Sequence, residues 1–304
     1  LRGVAARMTG ERRYYGLDAL RGVMMMLGIV LHAAEMYLAA PPPQVQAFPG
    51  DRNGSLAFDL LFHFIHAFRM PTFFVLAGFF AALLVEKRGL WGTYRNRGAR
   101  VLAPLAAALL TIFPLTMIFA LDFAFAAKYG VHAWLPDPQL VARMDRDIAA
   151  AGHPAGQLPA FHLWFLLYLL YFYLLLPPCR WLAQLARRRE GAVGAALGAP
   201  AMVLGLGLAT AALLWPYRGG QVLEGFIFFR PHLPSLAYYG AFFVLGYLCR
   251  DFPQLFATAA RHARGYALLA ASLFPLALHA SHLDYGAGGK DAGLHLAAVL
   301  ANGV

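Results

Sequence analysis

Two ionisable residues, Arg21 and His32, stand eleven positions apart inside the apolar run LDALRGVMMMLGIVLHAAEMYLAA. A helix rises about 1.5 Å per residue, so they are roughly 16 Å apart along one axis, near half of a bilayer's hydrocarbon thickness. Such groups are costly in lipid and mark substrate or proton paths when kept there. A guanidinium at one interface suits a phosphate or carboxylate, with snorkelling to headgroups as the plainer alternative. An imidazole near the midplane suits a general base that takes the proton of an attacking hydroxyl, with a packing hydrogen bond as its alternative. Asp18 and Glu35 lie three positions from Arg21 and His32 and are placed to orient or balance them.

A second polar stripe follows. Asp59, His63 and His66 share one helical face, with Arg69 about a turn further on. The stripe reads as the lining of a polar entrance for a ligand, which would be the acceptor in a group-transfer enzyme. Two histidines and a carboxylate also suffice for a metal, but a neighbouring arginine disfavours a cation, and no metal is assigned. Met70-Pro71 after Arg69 predicts a helix break whose freed backbone groups must face protein or a wet cavity. Arg97 and Arg100, at i and i+3, form a second candidate clamp for phosphates. His162 and Trp164 open a later apolar segment and are candidate sugar contacts, although such residues also anchor helices at interfaces.

The elements that must position these groups are apolar helices. The chain is 60% hydrophobic and only 13% charged, with a mean hydropathy of +0.57. That composition excludes an ordinary soluble domain and gives an all-α, polytopic membrane bundle. Apolar segments fall at about 17–39, 58–85, 101–126, 161–179, 193–216, 236–249 and 265–280, and an eighth starts at 294. The expectation is eight transmembrane helices in a single domain over 1–304, the last incomplete and the chain truncated at its C-terminus. The first segment is too long for a cleavable signal peptide. The formal charge of +10 lies in short runs between apolar segments, which reads as topology rather than nucleic-acid binding. Sixteen basic residues fall on the side of the N-terminus and seven on the other, which puts the N-terminus in the cytoplasm. Arg21 and Arg69 alone fall inside the spans. The 127–160 connection is longest, and its length leans towards function. Cys179 and Cys249 are too few for a disulfide framework.

Several stretches resemble a known family. RYYGLDALRGVMMMLGIVLH is similar to the first-helix signature of the acyltransferase 3 family of integral membrane O-acyltransferases. FRMPTFFVLAGFFAALL resembles its MP-x-FF-x-x-SGF pattern, with Ala77 in place of the frequent Ser, and YRNRGARVLAP resembles its R-x-x-R-x-x-x-P element at Arg97, Arg100 and Pro104. FHLWFLLYLLYFY and YYGAFFVLGYLCRD look most like the branch containing the periplasmic glucan succinyltransferases. The S-x-E motif of many sugar O-acetyltransferases in the family is absent from the helix matching 161–173. The resemblance implies that Arg21 and His32 are required and that His32 is catalytic. It further implies that Arg21, Arg97 and Arg100 meet an acyl-CoA donor, with no permanently bound cofactor. The acceptor would be an exported or periplasmic carbohydrate, the acyl group succinyl in its sharpest version, and the site a bacterial inner membrane. A transporter or flippase for an acylated lipid or small anion is the competing class, against which the lack of duplicated halves counts. A scaffold subunit of an export complex is a third.

Overall fold

In the computed structural model of the chain, residues 15–42, 51, 53–132, 137–150, 163–189, 201–223, 231–252, 254–288 and 290–303 are described. Among them all regular structure is helical. Helix α1 runs over Tyr15–Ala34 and tightens into a 3₁₀ turn at Glu35–Tyr37. Helix α2 spans Leu56–Arg97, its first turn capped by the Ser55 hydroxyl, which accepts from the Ala57 N–H at 3.3 Å. A π turn at Gly98–Leu102 leads into α3 (Ala103–Leu110) and then α4 (Ile112–Tyr129). Helix α5 (Pro138–Ala150) occupies part of the long connection, and α6 (Trp164–Leu174) meets α7 (Leu176–Arg188) at a 58° bend. The remaining helices are α8 (Ala201–Leu214), α9 (Leu233–Cys249), α10 (Gln254–Gly286) and α11 (Ala292–Gly303).

The described part of every expected apolar segment is mainly helical, with short non-helical residues at 38–39, 111, 175 and 215–216. Three stretches are long and apolar enough to cross a membrane: Tyr15–Tyr37, Leu56–Leu110 and Thr258–Gly286. The bent α6–α7 pair makes up to four. Several finer expectations change. The chain does not break at Met70-Pro71; α2 runs through Pro71, and its one non-helical residue is Gly89, with φ 67°. Proline removes only the N–H that the Ala67 carbonyl would receive, and Ala67 and Pro71 both border a small cavity beside other helices. The basic stretch at 86–100, expected as a loop, is therefore helical on both sides of Gly89.

Helices α1 and α2 form an antiparallel hairpin whose register follows from their contacts. Tyr37 packs on Phe58 at 5.3 Å between ring centroids, Gly28 faces Arg69, and the Arg21 guanidinium lies 5.6 Å from the Phe80 ring. Leu31 and Leu38 pack with Phe62 and Ile65 at one end of this seam. Helix α9 crosses the other side of α2 with backbones in direct approach. A Cβ on Gly78 would land on the Phe243 carbonyl, and one on Gly246 on the Val75 carbonyl. Small residues at a crossing let membrane helices gain dispersion contact that lipid cannot replace. Around it sits the main core, with Phe74, Phe172 and Phe243 fully buried and Tyr239 nearly so. At the other end of α2, Glu86 receives a hydrogen bond from Arg250, and Arg187 grips Asp251 with two bonds of 2.8 and 2.9 Å.

Gly246→Ala should therefore cost ~3 kcal/mol, the upper end of the overpacking range. Gly265→Ala, in an exposed helical turn with nothing near its Cβ position, should instead be neutral or stabilising by up to ~1 kcal/mol. Thermal melts of detergent-purified protein distinguish the two, and equal melting temperatures would refute the close crossing.

Candidate active site between the first two helices

The site builds from the α1–α2 seam. At the C-terminal end of α1, Nδ1 of His32 lies 3.0 Å from Oε2 of Glu35, both side chains about one-third exposed. Their i, i+3 spacing brings them together without any other element. One turn before His32, Gly28 offers bare backbone to Arg69: a Cβ there would sit 2.6 Å from Nη1. Arg69 also feels the charges of Glu35 and the Tyr239 phenol, and its Nε is buried without a hydrogen-bond partner. Glu35 thus contacts the His32 imidazole and lies within electrostatic range of the Arg69 guanidinium.

His63 and His66 face the same seam from α2, but each is engaged by the segment after α8. Nδ1 of His63 lies 3.0 Å from Oε1 of Gln221, and Nε2 of His66 lies 2.8 Å from the Val222 carbonyl. Nδ1 of His66 is buried and unpaired. Phe62 stacks on the His66 ring at 5.5 Å. Asp59 leaves the expected stripe: its two oxygens accept the N–H groups of Ala39 and Ala40, each at 3.2 Å, and pin the chain leaving the 3₁₀ turn. With these engagements the three residues share no vacant coordination sphere. A cavity of about 370 Å³ adjoins His63, bordered also by Pro41, Pro42, Ser281, His282 and Tyr285. A second, of about 30 Å³, lies against His66, Tyr238, Tyr239 and Gln221. His32 lines neither.

The segment that meets the histidines owes its path to Gly219 and Gly220, both at positive φ near 60–70°. A Cβ on Gly220 would come within 2.7 Å of the Ala298 carbonyl, so glycine permits both the left-handed turn and the approach to α11. Buried Asp284 accepts the Gly219 N–H at 2.6 Å and holds His295 at 2.9 Å. Ser281 donates to the Gly219 carbonyl at 2.6 Å.

The basic candidates gather at the opposite end of the seam. Arg21 is half-exposed, 4.0 Å from Asp18, and lies over Phe80. Arg97 lies over the Tyr173 ring at 5.2 Å, and the Tyr173 phenol is within electrostatic reach of both Arg97 and Arg21. The two arginines thus border one place. Arg100, on the π turn, is exposed and has no such contact with Tyr173 among the described residues. Trp164 is partly buried and packs against the main core, beside Phe74, Tyr168 and Tyr239. His162 lies outside the described residues. Sequence reading gave no role to Gln221, Asn302, Asp284 or His282. Only the Gly-Gly pair before Gln221 signals that the segment turns sharply.

Comparison with known proteins decides the family. Residues 14–301 match the family described as an acyltransferase domain, acyltransferase 3. The chain belongs to that family. It is 29% identical over 275 residues to Glucans biosynthesis protein C of Escherichia coli O6:K15:H31 (strain 536 / UPEC), an alignment covering 86% of this chain and 65% of that protein. The figures are the same for Glucans biosynthesis protein C of Escherichia coli O9:H4 (strain HS). The chain thus spans 65% of the length of these curated relatives. No solved structure matches it.

If Asp59 holds residues 39 and 40, Asp59→Ala should destabilise that end of the hairpin by ~3–6 kcal/mol, since each of the two bonds to a charged acceptor contributes ~1.5–3 kcal/mol. Asp59→Asn, which keeps one acceptor but turns an NH2 towards the other N–H, should recover at most about half of that loss. Hydrogen exchange at Ala39 and Ala40 reads this directly, and unchanged protection in Asp59→Ala would refute the anchor.

Proposed function

We propose that the chain is a membrane O-acyltransferase that moves an acyl group from cytoplasmic acyl-CoA onto a hydroxyl of an exported or periplasmic glycan. Succinyl onto a glucan is its sharpest form, supported by the relatives' name and by the resemblance of α6 and α9 to that branch. The reading includes a cytoplasmic N-terminus and eight spans in a bacterial inner membrane, supported by the sixteen-to-seven distribution of basic residues. The observation that carries it is the His32–Glu35 pair at 3.0 Å within the first membrane helix of a chain of this family.

In this mechanism Glu35 holds a proton on Nδ1 of His32 and makes the opposite ring nitrogen more basic. That nitrogen takes the hydroxyl proton as the acceptor oxygen attacks the thioester carbon. The C–O bond forms, the C–S bond breaks, and the proton passes from His32 to the departing thiolate. Arg69, on α2 against Gly28 one turn before His32 and carrying an unpaired buried Nε, would stabilise the oxyanion. Arg21 and Arg97 hold the donor's phosphates beside Tyr173. Arg100 is assigned to the donor only as an exposed charge nearby, and Asp18 as the counter-charge of Arg21. His66 lies behind the site on Val222, while His63 faces the acceptor side.

Radiolabelled succinyl-CoA with a glucose oligosaccharide tests this on purified protein. Wild type should release CoA and label the sugar. His32→Ala should lower turnover at least ~10³-fold while donor still binds, and Glu35→Gln should lower it less. Arg21→Ala should raise the donor KM about tenfold, the loss of one charge-assisted contact. Label transfer that survives His32→Ala unchanged refutes the mechanism. Thioester left intact while labelled anion crosses the bilayer would favour a transporter.

A further inference from the structure

The proton position on His63 is set by a relay of hydrogen bonds that starts on α11. Nδ2 of Asn302 donates to the Ala298 carbonyl at 2.8 Å, to Ser281 Oγ at 2.9 Å and to the Gly219 carbonyl at 3.2 Å. Two of those partners are carbonyls and can only accept, so the Asn302 amide has one orientation and its Oδ1 must accept. Gln221 supplies the donor: its Nε2 lies 3.1 Å from Asn302 Oδ1. That turns the Gln221 carbonyl towards His63, where Oε1 meets Nδ1 at 3.0 Å. An oxygen there requires the ring proton on Nδ1, leaving the lone pair of His63 on Nε2. In water the Nε2–H form is the favoured one, so the relay reverses the ordinary tautomer.

His63 borders the cavity of about 370 Å³ together with Ser281, His282, Tyr285, Pro41 and Pro42. Its size suits a small organic ligand or one ring of a larger one. Among the described residues no lysine or arginine lines it, which disfavours an anion. A neutral lone-pair acceptor, a second imidazole, a tyrosine ring and two prolines suit a polyhydroxyl ring with one polar edge and apolar faces. We propose that this cavity is a subsite for a sugar ring of the acceptor, with one ring hydroxyl donating to Nε2 of His63. Gln221 and Asn302 are positioning residues that act through the His63 tautomer. The identity of the ligand as the acceptor rests on the acyl-transfer reading above, whereas the sugar site itself does not.

Two measurements on full-length purified chain test the site without any acyl transfer. Nitrogen-15 NMR of histidine-labelled protein should show His63, assigned by its loss in His63→Ala, as the Nδ1–H form; an Nε2–H signature overturns the relay. Titration with a short glucose oligosaccharide should show binding that weakens about tenfold in His63→Ala and threefold to tenfold in Gln221→Leu and Asn302→Leu. Gln221→Glu, which still offers His63 an oxygen, should retain most of the affinity. If His63→Ala does not fold, the contrast between Gln221→Leu and Gln221→Glu carries the test. No binding by wild type, or equal binding by Gln221→Leu and Gln221→Glu, overturns the subsite. Oligosaccharide binding that depends on Gln221, with no CoA released from succinyl-CoA, leaves the subsite standing and refutes the acyl-transfer reading instead.

Discussion

A guanidinium lying on bare helix backbone, Arg69 on Gly28, is the contact around which the rest of the polar architecture is arranged. Placing a cation between apolar helices is costly, and the cost is bearable only where opposite charge and hydrogen-bonding groups surround it. Glu35 supplies the charge, from a position that the same helix already shares with His32. Tyr239 adds a phenol from α9. A side chain at residue 28 would push the Arg69 guanidinium off the bare backbone it now rests on. The close crossing of α2 and α9 at Gly78 and Gly246 then fixes the opposite face, so that α2 is held between two partners.

Much of this was legible in the sequence where the interaction is local. His32 and Glu35, or Arg21 and Asp18, lie one helical turn apart, and helical geometry alone joins them. The stripe of His63, His66 and Arg69 was legible for the same reason. What each member of the stripe bonds to was not. Gln221 reaches His63 across 158 positions of chain, and Asn302 orients Gln221 from 81 positions away. No periodicity encodes such a pairing, because it depends on how the Gly219–Gly220 turn enters the bundle. Asp59 looked like a member of the stripe and instead satisfies two backbone donors of a loop.

The misplaced helix break has a similar cause. Pro71 carries the strongest local signal for interruption, yet the helix runs through it beside buried Phe73 and Phe74, with the carbonyl it frees next to a small cavity between helices. Gly89 has nothing within reach of a Cβ, so no packing opposes the positive φ it adopts. Neighbours, rather than the residue's own preference, decided which of the two positions yielded.

That joint at Gly89 divides α2 into unlike parts. Before it the helix is buried against α1 and α9; after it Trp91 is 81% exposed, and Arg97 then turns back onto Tyr173. A swivel between a lipid-immersed shaft and a basic, aromatic-bearing foot lets the shaft change its inclination as bilayer thickness varies. The foot can meanwhile keep its basic and aromatic side chains at the headgroup level.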